Sequence, residues 1–433
     1  MRLSNLVLAV GVLAGCAGNA DRFDRSLVSA ELEERTGRGL GPGTGMPPDV
    51  TFDDGLTESE SVAVALWNNP GFQLALAELG IQRAELVQAG LLPNPVLSVL
   101  FPLGPKQLEF AAKLPLEFLW LRPGRLAAAE YDCEKVAALL VQAGLDVIRD
   151  VRAAFADVRL AARRAELSDE VAALLDRGSE LAQARLRAGD VSELEAAAPG
   201  VEALGARADA ARARRDVAAA REQLRALLGL GEGPRPEFVL RPPGEERPVV
   251  DEAVLVSRAL AARPDLRAAE MGVQASAERA GLSNWDFLAL SGILDANDRK
   301  GKDGVEVGPG AELPIPLFDR GQGRRARADA ELEKASRHYV AVRERIAAEV
   351  RLARVRYLAA REALEISRAQ IVATLEEAHR RAERAHEAGE TSALPVLEAA
   401  RRLADARRRE AESEAELHRA KAELERSVGR NLP

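Results

Sequence analysis

The side chains best suited to bind a metal or to transfer a proton are four histidines. They are His338, His379, His386 and His418. A helix would place His379 and His386 on one face, but all four lie in charged stretches typical of solvent-exposed helices. We therefore favour solvated histidines over a metal site. The sequence has no phosphate-binding loop, no paired cysteines and no nucleophile triad, so it predicts no enzyme and no cofactor.

The two cysteines, Cys16 and Cys133, have different surroundings. A short apolar run near the start of the chain ends at Leu13-Ala14-Gly15-Cys16 and is too short to cross a bilayer as a helix. The motif resembles a bacterial lipobox, which implies removal of residues 1–15 and acylation of Cys16. A secretory signal without lipidation is the alternative. Ala17 follows where an aspartate would retain a lipoprotein in the inner membrane, which fits the outer membrane. Cys133 is expected to be a half-buried residue on a helix.

Four segments with alternating apolar and polar residues predict two β-hairpins. The predicted strands are residues 96–103, 107–114, 287–294 and 304–313. Their charged positions are Glu109, Lys113, Glu306 and Glu312. Such alternation is typical of a transmembrane β-barrel with its charged face inward, but a soluble hairpin packed on helices would explain it equally well. Four strands are too few to close a barrel, so a membrane barrel would need several copies of the chain.

Long helices must position these strands. The chain runs for about 65 residues without proline or glycine before Gly389, and its apolar residues step by three and four from Leu332 to Leu364. This spacing predicts a coiled-coil seam. A helix of this length is roughly 100 Å long, so it must pack lengthwise on another long helix.

A matching helical hairpin is predicted in the first half of the chain. Its helices run from about Arg125 to Ala188 and from Val191 to Leu228, with Gly189 at the turn between them. Pro199 and Gly200 inside the second helix should kink or break it.

The same landmarks recur at an offset of about 200 residues, which indicates a tandem duplication. Leu114-Pro115 corresponds to Leu313-Pro314, Gly189 to Gly389, and Leu228-Gly229 to Val428-Gly429. The predicted domains are a signal peptide (1–15), an N-terminal tether (16–56), a first repeat (57–229), a linker (230–250) and a second repeat (251–429).

The composition is that of long helices rather than of a globular chain. Aromatic residues make up 4% and charged residues 30% of the sequence. The net charge of −8 argues against nucleic acid as a partner, and the arginines alternate with acidic residues as on solvated helix faces. The predicted fold class is mainly α with a small β part.

The order of these motifs resembles the TolC-like outer membrane factors, the exit ducts of bacterial efflux and type I secretion systems. The motifs that carry the resemblance are Leu56-Thr57-Glu58, Asn69-Pro70, Leu92-Pro93-Asn94-Pro95, Leu114-Pro115-Leu116, Gly189-Asp190-Val191-Ser192, Arg263-Pro264-Asp265-Leu266, Leu313-Pro314-Ile315-Pro316-Leu317-Phe318 and Gly389-Glu390-Thr391-Ser392. The resemblance implies a homotrimer in the bacterial outer membrane, lipid-anchored at Cys16, whose protomers share one β-barrel and whose long helices extend it into the periplasm. It also implies a periplasmic adaptor protein and an inner-membrane pump as partners.

The resemblance further implies two groups of functional residues. In this family the turns between the long helices close the duct at rest and meet the adaptor. The corresponding residues here are Arg187, Gly189, Val191, Ser192, Gly389, Thr391, Ser392 and Leu394. The family often has an aspartate six residues after each glycine, where this chain has Glu195 and Pro395, so these positions depart from the family pattern. The second group is the four strand charges named above, whose inward direction rests on the alternation alone and which would then line the lumen and bias ion passage.

The function expected from the resemblance is passive export through the outer membrane, with the substrate left open. A structural coiled-coil lipoprotein without a pore is the alternative, although it would not need two alternating strand pairs at equivalent positions. A periplasmic adaptor would need a lipoyl-type β domain, which the sequence does not contain.

Overall fold

The computed structural model describes residues 20–41, 45–101, 109–231, 235–240, 251–298 and 305–431. The predicted signal peptide and Cys16 therefore lie outside the described residues, as do residues 241–250 of the predicted linker.

The described chain is mainly helical with one small sheet. The helices are α1 (Arg25–Thr36), α2 (Glu58–Asn68), α3 (Pro70–Gly90), α4 (Phe118–Ala188), α5 (Glu193–Leu227), α6 (Glu252–Ala262), α7 (Pro264–Ser283), α8 (Gln322–Ile366), α9 (Ala373–Glu387) and α10 (Ala393–Val428). The strands are β1 (Val96–Leu100), β2 (Glu109–Pro115), β3 (Ser291–Asp298) and β4 (Val305–Glu312). Ser367–Val372 continue α8 into α9 with π-helical geometry. None of the described helices is both long enough and apolar enough to cross a membrane.

The chain divides into two compact units, and each combines a segment of the first repeat with the equivalent segment of the second. The first unit contains Leu74–Gln142 and Pro264–Arg345, with the N-terminal residues up to Ala30. The second contains Glu31–Gln73, Ala143–Arg263 and Ile346–Pro433.

The first unit carries the sheet, whose strands follow the order β1-β2-β3-β4 and are all antiparallel. Because β2 of the first repeat pairs with β3 of the second, the two predicted hairpins form one sheet.

The predicted bounds of β3 were wrong by four residues. The segment before Ser291 turns after α7 instead of pairing, and Asp295–Asp298, which we expected in a loop, pair with β4. Asp295 and Asn297 fit a strand because they alternate with Leu294 and Ala296 and so occupy one face, while Asp298 ends the strand on the other face.

In the second unit, charged side chains link the long helices in register. Arg207 of α5 lies 2.9 Å from Asp176 of α4, and Arg164 of α4 lies 2.8 Å from Glu412 of α10. From Ile346 to Leu364 every residue of the predicted coiled-coil seam is buried. The seam is confirmed over this length, and the exposed pairs specify register rather than contribute much stability.

The duplication is also visible in equivalent tertiary contacts of the second unit. The side-chain amide of Asn69, just before α3, donates to the carbonyl of Leu227 at 2.9 Å. The guanidinium of Arg263, just before α7, donates to the carbonyl of Ser427 at 3.2 Å. Different residues thus satisfy the last carbonyls of α5 and α10 in the same way.

The local structure departs from expectation at two places. Of the kink or break expected at Pro199 and Gly200, the break does not occur, because α5 is one helix from Glu193 to Leu227. Proline removes one hydrogen bond near the helix start, where a capping box and the alanines before Pro199 favour the helix. Within the predicted tether, α1 forms a helix that fully buries Val28 and Leu32, so this part is packed rather than extended.

Candidate functional site

The strand register brings the predicted charged positions onto one face of the sheet. Residues directly opposite in an antiparallel pair share a face. Glu109 on β2 is opposite Asn297 on β3, and Asn297 is opposite Glu306 on β4. In the same way Pro115 is opposite Ser291, and Ser291 is opposite Glu312, so Glu312 shares this face. Lys113 lies midway between Ala111 and Pro115 on the same side of β2. The side chain of Glu306 lies outside the described residues, although its backbone is paired.

Sequence analysis missed a further acidic residue of this face, Asp295. It lies opposite Ala111 on β2 and Gly308 on β4. The signal was present, because Asp295 lies between the apolar residues Leu294 and Ala296, but the polar run Asp295–Asp303 was interpreted as a loop.

Among the described side chains, the opposite face of the sheet is apolar on all four strands, and the register adds the last residue of β3, Asp298, to this face. Its residues include Leu97, Val99, Phe110, Ala112, Leu114, Leu294, Ala296, Val307, Pro309 and Ala311. These side chains are not covered: Leu97 is 68% exposed and Leu294 is 52% exposed in the protomer. A soluble hairpin packed on helices would bury this face, so its exposure favours a sheet that contacts lipid.

An ion pair joins the two repeats across the charged face. The ammonium of Lys113 on β2 lies 2.6 Å from a carboxylate oxygen of Glu312 on β4, which spans the intervening strand β3. With Glu109 and Asp295, the described side chains of this face comprise three carboxylates and one ammonium. The face is therefore acidic.

The two predicted glycine turns have the same backbone geometry. Gly189 and Gly389 adopt φ angles of +83° and +74°, which favour glycine. In each turn the N–H of the residue after the glycine donates, at 2.9 Å, to a carbonyl in the last turn of the preceding helix. This is the Schellman arrangement of a helix end. The imidazole Nδ1 of His386 also lies 3.0 Å from the carbonyl oxygen of Thr391, across the second turn.

The helices that follow the turns begin differently. The Ser192 hydroxyl accepts from the N–H of Glu195 at 3.3 Å, and the Glu195 carboxylate accepts from the N–H of Ser192 at 2.8 Å. The Ser192 N–H and the Ser192 hydroxyl, which lies 2.9 Å from the carboxylate, both donate to Glu195 and lower its pKa. Ser392 makes no such cap, because position 395 is a proline with neither N–H nor carboxylate. The Glu195 carboxylate is therefore occupied within its own helix cap.

Exposed leucines mark both turns. Leu394 is exposed on the first turn of α10, and its repeat equivalent Leu194 is 83% exposed on the first turn of α5. Sequence analysis named Leu394 but missed Leu194, which the offset of about 200 residues would have identified. The other predicted residues here, Arg187, Ser192, Thr391 and Ser392, are exposed, and Val191 is half-buried.

The remaining reactive side chains are embedded in helices. Burial lowers the pKa of His418 on α10 to about 3, with a further contribution from Arg159 and Lys421. The Cys133 thiol is buried, donates to the carbonyl of Gln82 at 3.3 Å, and has its pKa raised to about 11 by burial. Within the described ranges, no three histidine, cysteine or carboxylate side chains converge to hold a metal ion.

Comparison with known proteins identifies the family. Residues 106–230 and 255–430 match the family described as "Outer membrane efflux protein". The cobalt-zinc-cadmium resistance protein CzcC of Cupriavidus metallidurans is 27% identical over 393 residues, which cover 87% of this chain and 90% of that protein.

Solved structures share the fold. The outer-membrane channel OprN superposes with a TM-score of 0.71 at 21% identity, over 86% of this chain and 90% of OprN. CusC superposes with a TM-score of 0.68 at 18% identity, over 86% of this chain and 92% of CusC. The chain belongs to the outer membrane efflux protein family, whose members are efflux channels and not enzymes. The predicted family and fold class are confirmed.

Proposed function

We propose that this outer membrane efflux protein is the exit duct of a tripartite system, which passively conducts substrates from an inner-membrane pump and a periplasmic adaptor across the outer membrane. The observation that carries the proposal is the sheet with one exposed apolar face and one acidic face. Such a sheet suits a wall between lipid and an aqueous channel.

Trimer formation follows from the open edges of this sheet. β1 and β4 each have only one neighbouring strand, and unpaired backbone groups are not tolerated in the hydrocarbon core of a membrane. Pairing of β1 with β4 of the next copy would satisfy both edges. We propose a homotrimer, because four strands fall short of the roughly eight that a small barrel needs and the family resemblance implies three copies.

The acidic face would then line the lumen. Glu109, Lys113, Glu306 and Glu312, together with Asp295, would favour cations over anions in the barrel. This preference agrees with the name of the relative CzcC, a cobalt-zinc-cadmium resistance protein. We propose divalent metal cations as the cargo. Deletion of the gene should then sensitise the host to these metals and not to uncharged antibiotics, whereas the reverse pattern would exclude this cargo.

The two glycine turns would form the periplasmic entrance and the adaptor contact. The residues proposed for this role are Arg187, Gly189, Val191, Ser192, Gly389, Thr391, Ser392 and Leu394, with Leu194 added from the structure. Exposed leucines on the first turns of two neighbouring helices suit the apolar contact that a helical hairpin of an adaptor would offer.

Acylation of Cys16 would anchor the N-terminus. The described chain begins four residues later at Ala20, whose carbonyl accepts from Arg83 of α3 at 3.1 Å, and Asp21 also pairs with Arg83. Four residues span at most about 14 Å. The lipid on Cys16 must therefore lie within about this distance of Ala20, which Arg83 holds on α3. We propose that the anchor lies in the periplasmic leaflet of the outer membrane.

Ion selectivity in planar bilayers tests the duct directly. The wild-type protein should conduct and should prefer cations, and Glu109→Lys should shift the reversal potential in a salt gradient towards anions. Glu33→Lys on α1 makes the same charge change at an exposed position that is not part of the sheet, and it should leave the selectivity unchanged. Absence of conductance would favour the structural lipoprotein without a pore. So would a selectivity that stays at the wild-type value in both the Glu109→Lys and the Asp295→Lys variants.

A further inference from the structure

The edge where the sheet meets the helices carries large apolar side chains in water-exposed positions. β1 starts, β2 ends, β3 starts and β4 ends at this edge, as the ladder from Pro115 through Ser291 to Glu312 shows. Phe318, six residues after β4, is 92% exposed, and Trp285 and Leu119 are also exposed. Leu119 lies four residues after β2 and Trp285 six residues before β3, so all three belong to this edge, and we call them the apolar cluster.

Arginines follow the cluster directly, and two of them lack an acidic partner. Arg324 pairs with Asp286 at 2.9 Å and with Asp319 at 3.1 Å. By contrast, no carboxylate among the described residues pairs with Arg320 or Arg325. The guanidinium of Arg325 lies 5.3 Å from the centre of the Phe287 ring and donates to the carbonyl of Arg320 at 3.2 Å.

The first repeat also has an aromatic residue and an arginine after its second strand. Phe118 and Arg125 lie 200 residues before Phe318 and Arg325 (318 − 118 and 325 − 125), but Phe118 is half-buried as the first residue of α4, whereas Phe318 is exposed four residues before α8. Arg125 is exposed, and no carboxylate among the described residues pairs with it. Two junctions that differ in most other residues thus share an aromatic side chain followed by an unpaired arginine.

We infer that this edge binds the phosphates of anionic phospholipids in the adjacent leaflet, with Arg125, Arg320 and Arg325 as the binding groups and with Leu119, Trp285 and Phe318 inserted between the acyl chains below them. The inference rests on the proposed function, in which the apolar face of the sheet contacts lipid. Aromatic side chains favour the boundary between hydrocarbon and headgroups, and arginines just beyond it attract anionic lipid. The order from apolar strand to apolar cluster to unpaired arginine follows the order of polarity across one leaflet.

Lipid retention tests the arginines. The full-length protein is reconstituted into phosphatidylcholine vesicles with and without phosphatidylglycerol, extracted in mild detergent, and analysed for bound phosphatidylglycerol by native mass spectrometry. Each arginine near an anionic surface changes lipid affinity by roughly fivefold, so the Arg320→Gln/Arg325→Gln variant should retain several-fold less phosphatidylglycerol than the wild type.

The matched control is Arg327→Gln/Arg337→Gln on the same helix. Both control arginines are exposed and pair with glutamates one helical turn away, at Glu331 and Glu333. This variant should retain phosphatidylglycerol as the wild type does. Equal retention in both variants would overturn the inference. So would a loss of oligomers by the first variant with unchanged lipid per protomer, because the arginines would then contact a second copy of the chain.

Tryptophan quenching separates this inference from the proposed function. In vesicles of phosphatidylcholine brominated near the headgroup, replacement of Trp285 by phenylalanine should remove a quenched component of the fluorescence. If Trp285 is not quenched, the edge does not lie at the membrane and the proposed barrel fails as well. If Trp285 is quenched but retention of phosphatidylglycerol does not depend on the arginines, only the phosphate site is wrong.

Discussion

His418 shows how a single half-buried residue can make the stability of this chain depend on pH. Its imidazole lies on α10, and burial, together with Arg159 and Lys421, lowers its pKa in the folded state to about 3. An unfolded histidine has a pKa near 6.5. Below pH 6.5 the unfolded chain therefore takes up a proton that the folded chain does not, so stability falls as the pH falls from 6.5 towards 3.

Replacement of His418 by leucine should remove this acid sensitivity. We expect the wild type to lose about 2 kcal/mol between pH 7 and pH 5 through this group, and the variant to lose correspondingly less. Denaturant midpoints measured at both pH values check the prediction. His338→Leu, at an exposed position of α8, provides the control, and an equal effect of the two substitutions would show that burial of His418 is not the cause.

Gly229 is the residue where backbone conformation and packing are most restrictive. It follows α5 with a φ of +70°, and a Cβ atom there would lie 2.1 Å from the carbonyl oxygen of Asn68. Gly229→Ala should therefore destabilise the protein by more than about 2 kcal/mol.

Gly205, inside α5, offers the matched control for this substitution. A Cβ there meets no atom within 4 Å, so Gly205→Ala should be neutral or should stabilise the helix by up to about 1 kcal/mol. Thermal unfolding of the two variants compares them directly. Similar midpoints would mean that the contact of Gly229 with Asn68 has no energetic weight.

At the scale of elements, β3 presents adjacent residues to the two faces of the sheet. Leu294 belongs to the apolar face and Asp295 to the acidic face. Leu294→Lys should prevent stable membrane assembly, because a lysine on the lipid face costs about 2–4 kcal/mol at mid-membrane. Asp295→Lys should assemble normally and change only ion selectivity.

The amount of each variant in the outer membrane fraction, followed by conductance of the protein that assembles, checks this pair. The outcome that contradicts the assignment of faces is assembly of the Leu294 variant together with loss of the Asp295 variant.

Whether an element could be predicted from sequence depended on whether its signal is local or comes from a distant partner. The seam from Ile346 to Leu364 was predictable because a spacing of three and four is a signal summed over many residues. The start of β3 was not, because register depends on a partner strand from the other repeat. The continuity of α5 through Pro199 depended on the neighbouring capping box and alanines, which outweigh the local preference of one residue.

For the whole molecule, the proposed barrel predicts a defined size. The mass of the detergent-extracted protein, corrected for bound detergent, should equal three chains, because β1 and β4 leave two edges open in every protomer and the family resemblance implies three copies. A monomer that stays soluble without detergent would remove the barrel.

The acidic face was largely predictable from local sequence, whereas the exposed leucine near the first turn could be predicted only from its repeat equivalent Leu394. Alternation placed Glu109, Lys113 and Glu312 on equivalent polar positions, because the period of two is a local property of a strand. Leu194 resembles any apolar residue of a helix until the structure shows that nothing in the protomer covers it.

The pairing of β2 with β3 has an evolutionary consequence. A chain with one repeat would carry a single two-stranded hairpin, which is at best marginally stable, with an open edge at β2. An ancestor of that length would have had to pair with a second copy of itself. Fusion of two copies into one gene made this contact independent of protein concentration. It also allowed the halves to diverge, as Asn69 and Arg263 have done while they still donate to equivalent carbonyls.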